Sequence, residues 1–230
     1  MHSIQSLGTV DGPGVRTVIF AAGCPLRCVY CHNPDTWTTA DAKLTDADEL
    51  VKKVLRFKPY IARGGVTISG GEPLLQSEFF TVVAKQLKEN GLHIALDTSG
   101  VILDEHVRKL LKYIDLVLLD VKFTTESEYR NLANGSLNSI LSFLEYLHSN
   151  GIPTWIRHVV VPGLNDTEED AERLKELISP YRSVIGKVEF LPFRKLCLEK
   201  YENMKIDFPL KDKPEMSAEK AAELSRLASV

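Results

Sequence analysis

A strand-like run followed by a helix-like stripe recurs six times along this chain, and few folds accept that pattern. Runs rich in Val, Ile and Leu occupy residues 15–21, 65–69, 92–96, 116–120, 155–161 and 187–191. A helix signal lies behind each. Thr45, Asp104, Thr167 and Ser217 read as N-caps, Ser77 opens a helix, and Leu137, Ile140, Leu141, Leu144 and Leu147 form a stripe at helical spacing. Asn90-Gly91 stops the second helix. Six βα units predict an α/β fold, a parallel sheet with helices outside it. The pattern suits either a doubly wound sheet or a barrel of six units, and periodicity does not separate the two. Both place the chemistry at the carboxyl ends of the strands. No Ser/Gly-rich linker interrupts the alternation, so residues 1–230 read as one domain, with the units within about 15–195 and a C-terminal helix over 217–228.

Composition excludes several classes. With 44% apolar and 26% charged residues the chain reads as an ordinary soluble globular protein, neither fibrous nor disordered. Lys+Arg 28 against Asp+Glu 31 gives a net charge of −3, so a nucleic acid is not expected as a partner. No apolar run approaches the roughly 20 residues that span a bilayer, so no membrane is expected. Met1-His2-Ser3-Ile4 has no basic region leading into an apolar one, so no signal peptide is expected and the reading is cytoplasmic.

In a reducing compartment, clustered cysteines are metal ligands or redox groups, not a disulfide framework. Cys24, Cys28 and Cys31 follow the first strand. One alternative is zinc completed by His32, but His32 directly follows Cys31, a strained geometry for chelating one ion. Cys197 lies far away in sequence. The spacing favours an iron–sulfur cluster with three thiolates and one open iron. The other strands end in polar residues too. These are Gly70-Gly71-Glu72 after the second, Asp97-Thr98 after the third, Asp120-Val121-Lys122 after the fourth, Arg157 on the fifth and Arg194 after the sixth.

Cys24-x-x-x-Cys28-x-x-Cys31, with the aromatic Tyr30 before its last cysteine, resembles the signature of the radical S-adenosylmethionine (SAM) superfamily. Gly70-Gly71-Glu72-Pro73 resembles its second landmark. Further blocks narrow the likeness to the glycyl-radical-enzyme activases. They are Gly8-Thr9-Val10-Asp11-Gly12-Pro13-Gly14-Val15-Arg16, Tyr30-Cys31-His32-Asn33, Leu96-Asp97-Thr98, Trp155-Ile156-Arg157 and Val161-Pro162-Gly163. The resemblance implies a partial (β/α)6 TIM-type barrel, the radical SAM core. It implies one [4Fe-4S] cluster on the three cysteines and SAM chelating the open iron. The implied partner is a glycyl radical enzyme of the pyruvate formate-lyase type.

The resemblance also assigns residues. Gly70 and Gly71 let the backbone approach the methionine moiety, Glu72 accepts from its ammonium, and Lys122 offers charge to its carboxylate. Asp97, Thr98 and Asp120 resemble a monovalent-cation site. Tyr30, His32, Val121 and Arg157 belong to the same cofactor region, and Asp11 lies beside the partner's glycine loop. Where relatives read Leu-Pro-Tyr-His, this chain has Leu191-Pro192-Phe193-Arg194, so Arg194 is expected to reach SAM. Residues 32–69 contain no cysteine, hence no ferredoxin-like insert and one cluster only. An external donor, flavodoxin or ferredoxin, and a monomer are expected. Three readings compete: an activase of a different glycyl radical enzyme, a radical SAM enzyme with a small-molecule substrate, and a non-enzymatic metal or redox-sensing module.

Overall fold

A computed structural model describes residues 1–40 and 42–230. Its seven strands are β1 (Ser3–Gly8), β2 (Arg16–Ala21), β3 (Gly65–Gly70), β4 (Ile94–Thr98), β5 (Leu116–Asp120), β6 (Thr154–Val160) and β7 (Ile185–Pro192). They follow one another in the sheet in chain order. A doubly wound sheet reverses its order at a switch point, so the uninterrupted order is that of a β/α barrel core. β1 is an addition to the six strands expected. It pairs antiparallel with β2, Ser3 opposite Phe20 and Gly8 opposite Arg16. Its sequence, SIQSLG, has a single β-branched residue and a mostly exposed face, so it carries no apolar signal.

By contact density the chain divides into two compact units, residues 1–24 with 36–118, and residues 25–35 with 119–230. In the first unit β2, β3 and β4 pair in parallel. Their side chains, among them Val18, Ile19, Val66, Ile68, Ile94 and Leu96, are wholly buried. Each such side chain contributes about 1.5–3 kcal/mol relative to exposure. The helices here are α1 (Ala47–Leu55), the single turn α2 (Lys58–Ile61), α3 (Ser77–Glu89) and α4 (Glu105–Leu111). α3 lies against α1 and α4 and buries Phe80, Val83, Ala84 and Leu87. It stops at Asn90-Gly91, where Gly91 takes φ +74° and its N–H returns to the Lys88 carbonyl at 2.8 Å. α1 is capped by Asp46 and not by Thr45, because the Asp46 carboxylate accepts from the N–H groups of Asp48 and Glu49.

The second unit holds β6 and β7, paired in parallel, and the helices α5 (Glu126–Glu128), α6 (Leu137–Ser149), α7 (Glu168–Ile178), α8 (Leu198–Asn203) and α9 (Ala218–Leu227). Thr167 caps α7 in a reciprocal capping box with Asp170. α9, capped by Ser217, packs on β7 and α7. Among the described residues no helix is long and apolar enough to cross a membrane.

Candidate functional site

In the first unit the chain leaves β3 by running close beside the end of β2. Gly70 pairs with Ala21 in register and takes φ +119°. A Cβ on Gly70 would stand 2.2 Å from the Ala21 nitrogen, and one on Gly71 would stand 2.3 Å from the Gly23 carbonyl oxygen. Neither distance is sterically possible, so both glycines are required by the passage of one backbone over another. The Gly71 N–H donates to the Ala21 carbonyl (3.0 Å) and the Glu72 N–H to the Gly23 carbonyl (2.8 Å). The Cys24 N–H donates to the Trp37 carbonyl at 3.3 Å, which fixes the start of the cysteine loop at the same strand ends.

Glu72 is buried. One carboxylate oxygen accepts from the Leu74 N–H (3.1 Å) and the Thr98 hydroxyl (2.6 Å), the other from the Ser99 N–H (2.9 Å) and the Ser99 hydroxyl (2.5 Å). Burial pushes its pKa up, and the four donors oppose that shift. Next to it, Asp97 accepts from the Ser69 hydroxyl at 2.8 Å. Gly70, Gly71, Glu72, Asp97 and Thr98 thus occupy neighbouring strand ends, as expected.

Asp11 is held against β3. It lies in the turn before β2, and its carbonyl accepts from the Thr67 hydroxyl near the start of β3 (2.6 Å). Buried Arg16 holds this turn. Its guanidinium donates to the carbonyls of Pro13, Gly64, Val66 and His93 and, through Nε, to the Thr67 hydroxyl at 2.7 Å. Burial lowers its pKa to about 10, so it stays charged at neutral pH.

The second unit carries the remaining thiols. The cysteine loop is pinned by the Arg27 N–H on the Ala133 carbonyl (2.8 Å) and the Val29 N–H on the Leu132 carbonyl (2.9 Å). A turn closes Cys28 to Cys31, whose N–H donates to the Cys28 carbonyl at 3.0 Å. Tyr30 is buried between them, 5.7 Å from the Phe123 ring, and its hydroxyl donates to the Lys122 carbonyl at 3.1 Å. Burial, then the neighbouring Cys28, raises its pKa, so the phenol remains a donor. His32 donates from Nε2 to the Arg194 carbonyl at 2.7 Å, and burial lowers its pKa towards the neutral ring.

Asp120 and Lys122 face each other, Oδ2 to Nζ 2.6 Å. The Lys122 N–H donates to the Tyr129 hydroxyl (2.8 Å), and the Val121 N–H to the Arg157 carbonyl (2.9 Å). His158 is buried here. Its Nδ1–H donates to the Val121 carbonyl (2.7 Å), and its Nε2 accepts from the Asn165 amide (3.0 Å). That amide also donates to the Val159 carbonyl (2.9 Å), while its oxygen takes the Val161 N–H (2.8 Å). A lone histidine in a strand gives no sequence signal for this. Only the following Asn165 hints at it. Arg194 offers its carbonyl to His32, whereas its guanidinium pairs with Glu215 at 3.3 Å.

Among the described residues no three or more His, Cys, Asp or Glu side chains converge on one metal ion. Closed zinc needs four ligands on a single ion, whereas an iron–sulfur cluster takes one thiolate per iron. Three thiolates within eight residues of sequence supply the donor type that a cluster takes.

Residues 18–177 match the family model of the Radical SAM superfamily. A pyruvate formate-lyase-activating enzyme of Clostridium pasteurianum is 46% identical over 228 residues, 98% of this chain and 95% of that one. One from Staphylococcus aureus (strain USA300) is 42% identical over 233 residues, covering 96% and 92%. Two solved structures share the fold at low identity. A radical SAM methyltransferase from Sphaerobacter thermophilus superposes with a TM-score of 0.66 at 18% identity, over 93% of this chain and 63% of that one. A domain of a pyruvate-formate lyase-activating enzyme from Bacteroides vulgatus ATCC 8482 gives 0.59 at 22%, over 72% and 92%. With its three-cysteine loop, its Gly-Gly-Glu turn and this near full-length similarity, the chain belongs to the radical SAM superfamily, among the glycyl-radical-activating enzymes that use a [4Fe-4S] cluster and SAM.

Proposed function

We propose that this chain, acting as one domain over residues 1–230, installs a glycyl radical on a partner enzyme of the pyruvate formate-lyase type. The observation that carries the reading is the 46% identity to an activating enzyme over 98% of the chain. Cys24, Cys28 and Cys31 would hold the cluster, and the backbone at Gly70 and Gly71 would accommodate the methionine part of SAM. Lys122 faces the SAM carboxylate. Asp97, Thr98 and Asp120 would offer oxygens to a monovalent cation, and Tyr30, His32, Val121 and Arg157 would belong to the cofactor region. When bound, the cluster and SAM supply a reductive cleavage that yields methionine and a 5'-deoxyadenosyl radical able to take hydrogen from a glycine Cα. The protein's own part is to hold these groups in register and to keep water away from them. Residues 32–69 carry no cysteine for a second cluster, so a cytoplasmic flavodoxin or ferredoxin delivers the electron to a monomeric enzyme.

The test is anaerobic reconstitution with iron, sulfide, SAM, reductant and a purified pyruvate formate-lyase-type partner, followed by electron paramagnetic resonance. A glycyl radical on the partner is the expected result. SAM cleavage with no radical on any such partner rejects the partner assignment, and absence of SAM cleavage rejects the reading itself.

A further inference from the structure

We propose that Glu72 is a positioning residue: its carboxylate clamps the Gly70-Gly71 turn to the end of β4 and does not touch the cofactor. This rests on the functional reading above, because the turn it positions is the one assigned to SAM. The sequence-based role, accepting from the SAM ammonium, requires a carboxylate with capacity to spare. A carboxylate has about four lone-pair sites. Here four donors within the first unit occupy them: the main-chain N–H groups of Leu74 and Ser99 and the hydroxyls of Thr98 and Ser99. The side chain is 1% exposed, which leaves no approach for a ligand atom.

The donor set also explains why the residue is Glu. A glutamine places an NH2 group where one of the two oxygens stands. Each oxygen already receives a main-chain N–H, from Leu74 on one side and Ser99 on the other, and a main-chain N–H cannot turn to accept. Either amide orientation therefore sets donor against donor in a buried place. An aspartate is one methylene short of the span. The clamp acts on the turn through the chain itself. Glu72 follows Gly71 directly, and their two N–H groups are held by Gly23 and Ala21. The main chain thus fixes the turn to β2, and the carboxylate fixes it to β4.

Three variants, Glu72→Gln, Ser99→Ala and the double substitution, test this on cluster-loaded protein. The melting temperature without SAM and the SAM dissociation constant well below every melting point are both measured. Ser99→Ala leaves Glu72 in place and removes one of its donors, and it serves if Glu72→Gln does not fold. Positioning predicts a lower melting temperature for both single variants without SAM. It predicts SAM binding weakened about tenfold in Glu72→Gln and less in Ser99→Ala, with the double variant no worse than Glu72→Gln, as coupled neighbours behave. Wild-type SAM affinity in Ser99→Ala, beside a loss in Glu72→Gln with unchanged melting, would show a direct ligand and overturn the proposal. Lower melting with unaltered affinity in both would show a merely structural role and overturn it equally. A wild-type protein that binds no SAM at all would fail the functional reading itself, an outcome distinct from both.

Discussion

The ammonium of Lys122 stands 2.6 Å from the carboxylate of Asp120, two residues away along the chain, and both side chains are about four-fifths buried (17% and 21% exposed). The resemblance implies separate duties for them, Lys122 toward the SAM carboxylate and Asp120 toward a cation. The pairing joins them, since Asp120 holds the Lys122 charge in place. Lys122→Gln should then weaken SAM binding by about 1.5–3 kcal/mol, the range for a charged hydrogen bond, or roughly ten- to a hundredfold. Asp120→Asn keeps the ammonium and loses only its anchor, so its loss should be smaller. Equilibrium titration of SAM into the anaerobic protein measures both. A larger loss for Asp120→Asn would mean that Asp120 meets the ligand or a cation directly.

Cys197 is wholly buried, and burial, then the proximity of Cys31, raises its thiol pKa. A neutral buried thiol behaves as a small hydrophobe, not a ligand. Cys197→Ser should keep its iron and lose some thermal stability, because a hydroxyl at a buried site costs about 1–3 kcal/mol if unpaired. Alanine at Cys24, Cys28 or Cys31 should instead abolish the cluster and SAM cleavage. Iron and sulfide assays on the four variants decide this. Iron loss from Cys197→Ser would identify a fourth ligand.

The expected reach of Arg194 to SAM follows only from the resemblance, which implies a histidine at that position. The structure shows its guanidinium engaged with Glu215 at 3.3 Å in a partly exposed pair, and its main-chain carbonyl engaged with His32. Alanine keeps that carbonyl, and an exposed pair is worth about 0–1 kcal/mol. Arg194→Ala should therefore bind SAM within about twofold of wild type, less than one unit of a tenfold step at 1.4 kcal/mol. A tenfold loss on titration would show that the guanidinium leaves Glu215 for the cofactor.

What the sequence made legible was whatever has a local cause. The strand 116–120 is found at those bounds because a continuous apolar run needs no partner to be recognised. Ser77, Asp104, Thr167 and Ser217 stand at the starts of their helices, since a cap or a helix start is set within a few residues. The long-range features were not legible. Arg16 looks like part of a glycine-rich turn, yet its guanidinium reaches carbonyls about 50 and 77 residues away in sequence. The Asp11 carbonyl likewise takes the hydroxyl of Thr67, 56 residues further along the chain. Nothing local to Glu72 shows that its carboxylate takes the hydroxyls of Thr98 and Ser99, more than 25 residues away.

His158 gives the sharpest pH prediction. Its ring is buried, its Nδ1–H is given to the Val121 carbonyl and its Nε2 is filled by the Asn165 amide, an arrangement that only the neutral ring can make. Burial, the largest cause, lowers its pKa below the ordinary value of 6.5. The sign follows. As pH falls through about 6.5 the unfolded chain gains this proton and the folded chain does not, so stability falls with pH, by at most about 1.4 kcal/mol per unit for one histidine. The loss continues down to the folded pKa and then levels off. His32 and His93 are lowered by burial too, and act in the same direction. His158→Gln isolates the share of one ring. It should be less stable than wild type at pH 8, having lost a fitted pair of hydrogen bonds, yet lose less stability between pH 7 and 5.5. Denaturant unfolding of both proteins across that range measures the two slopes, and equal slopes would show that His158 takes up its proton in the folded state.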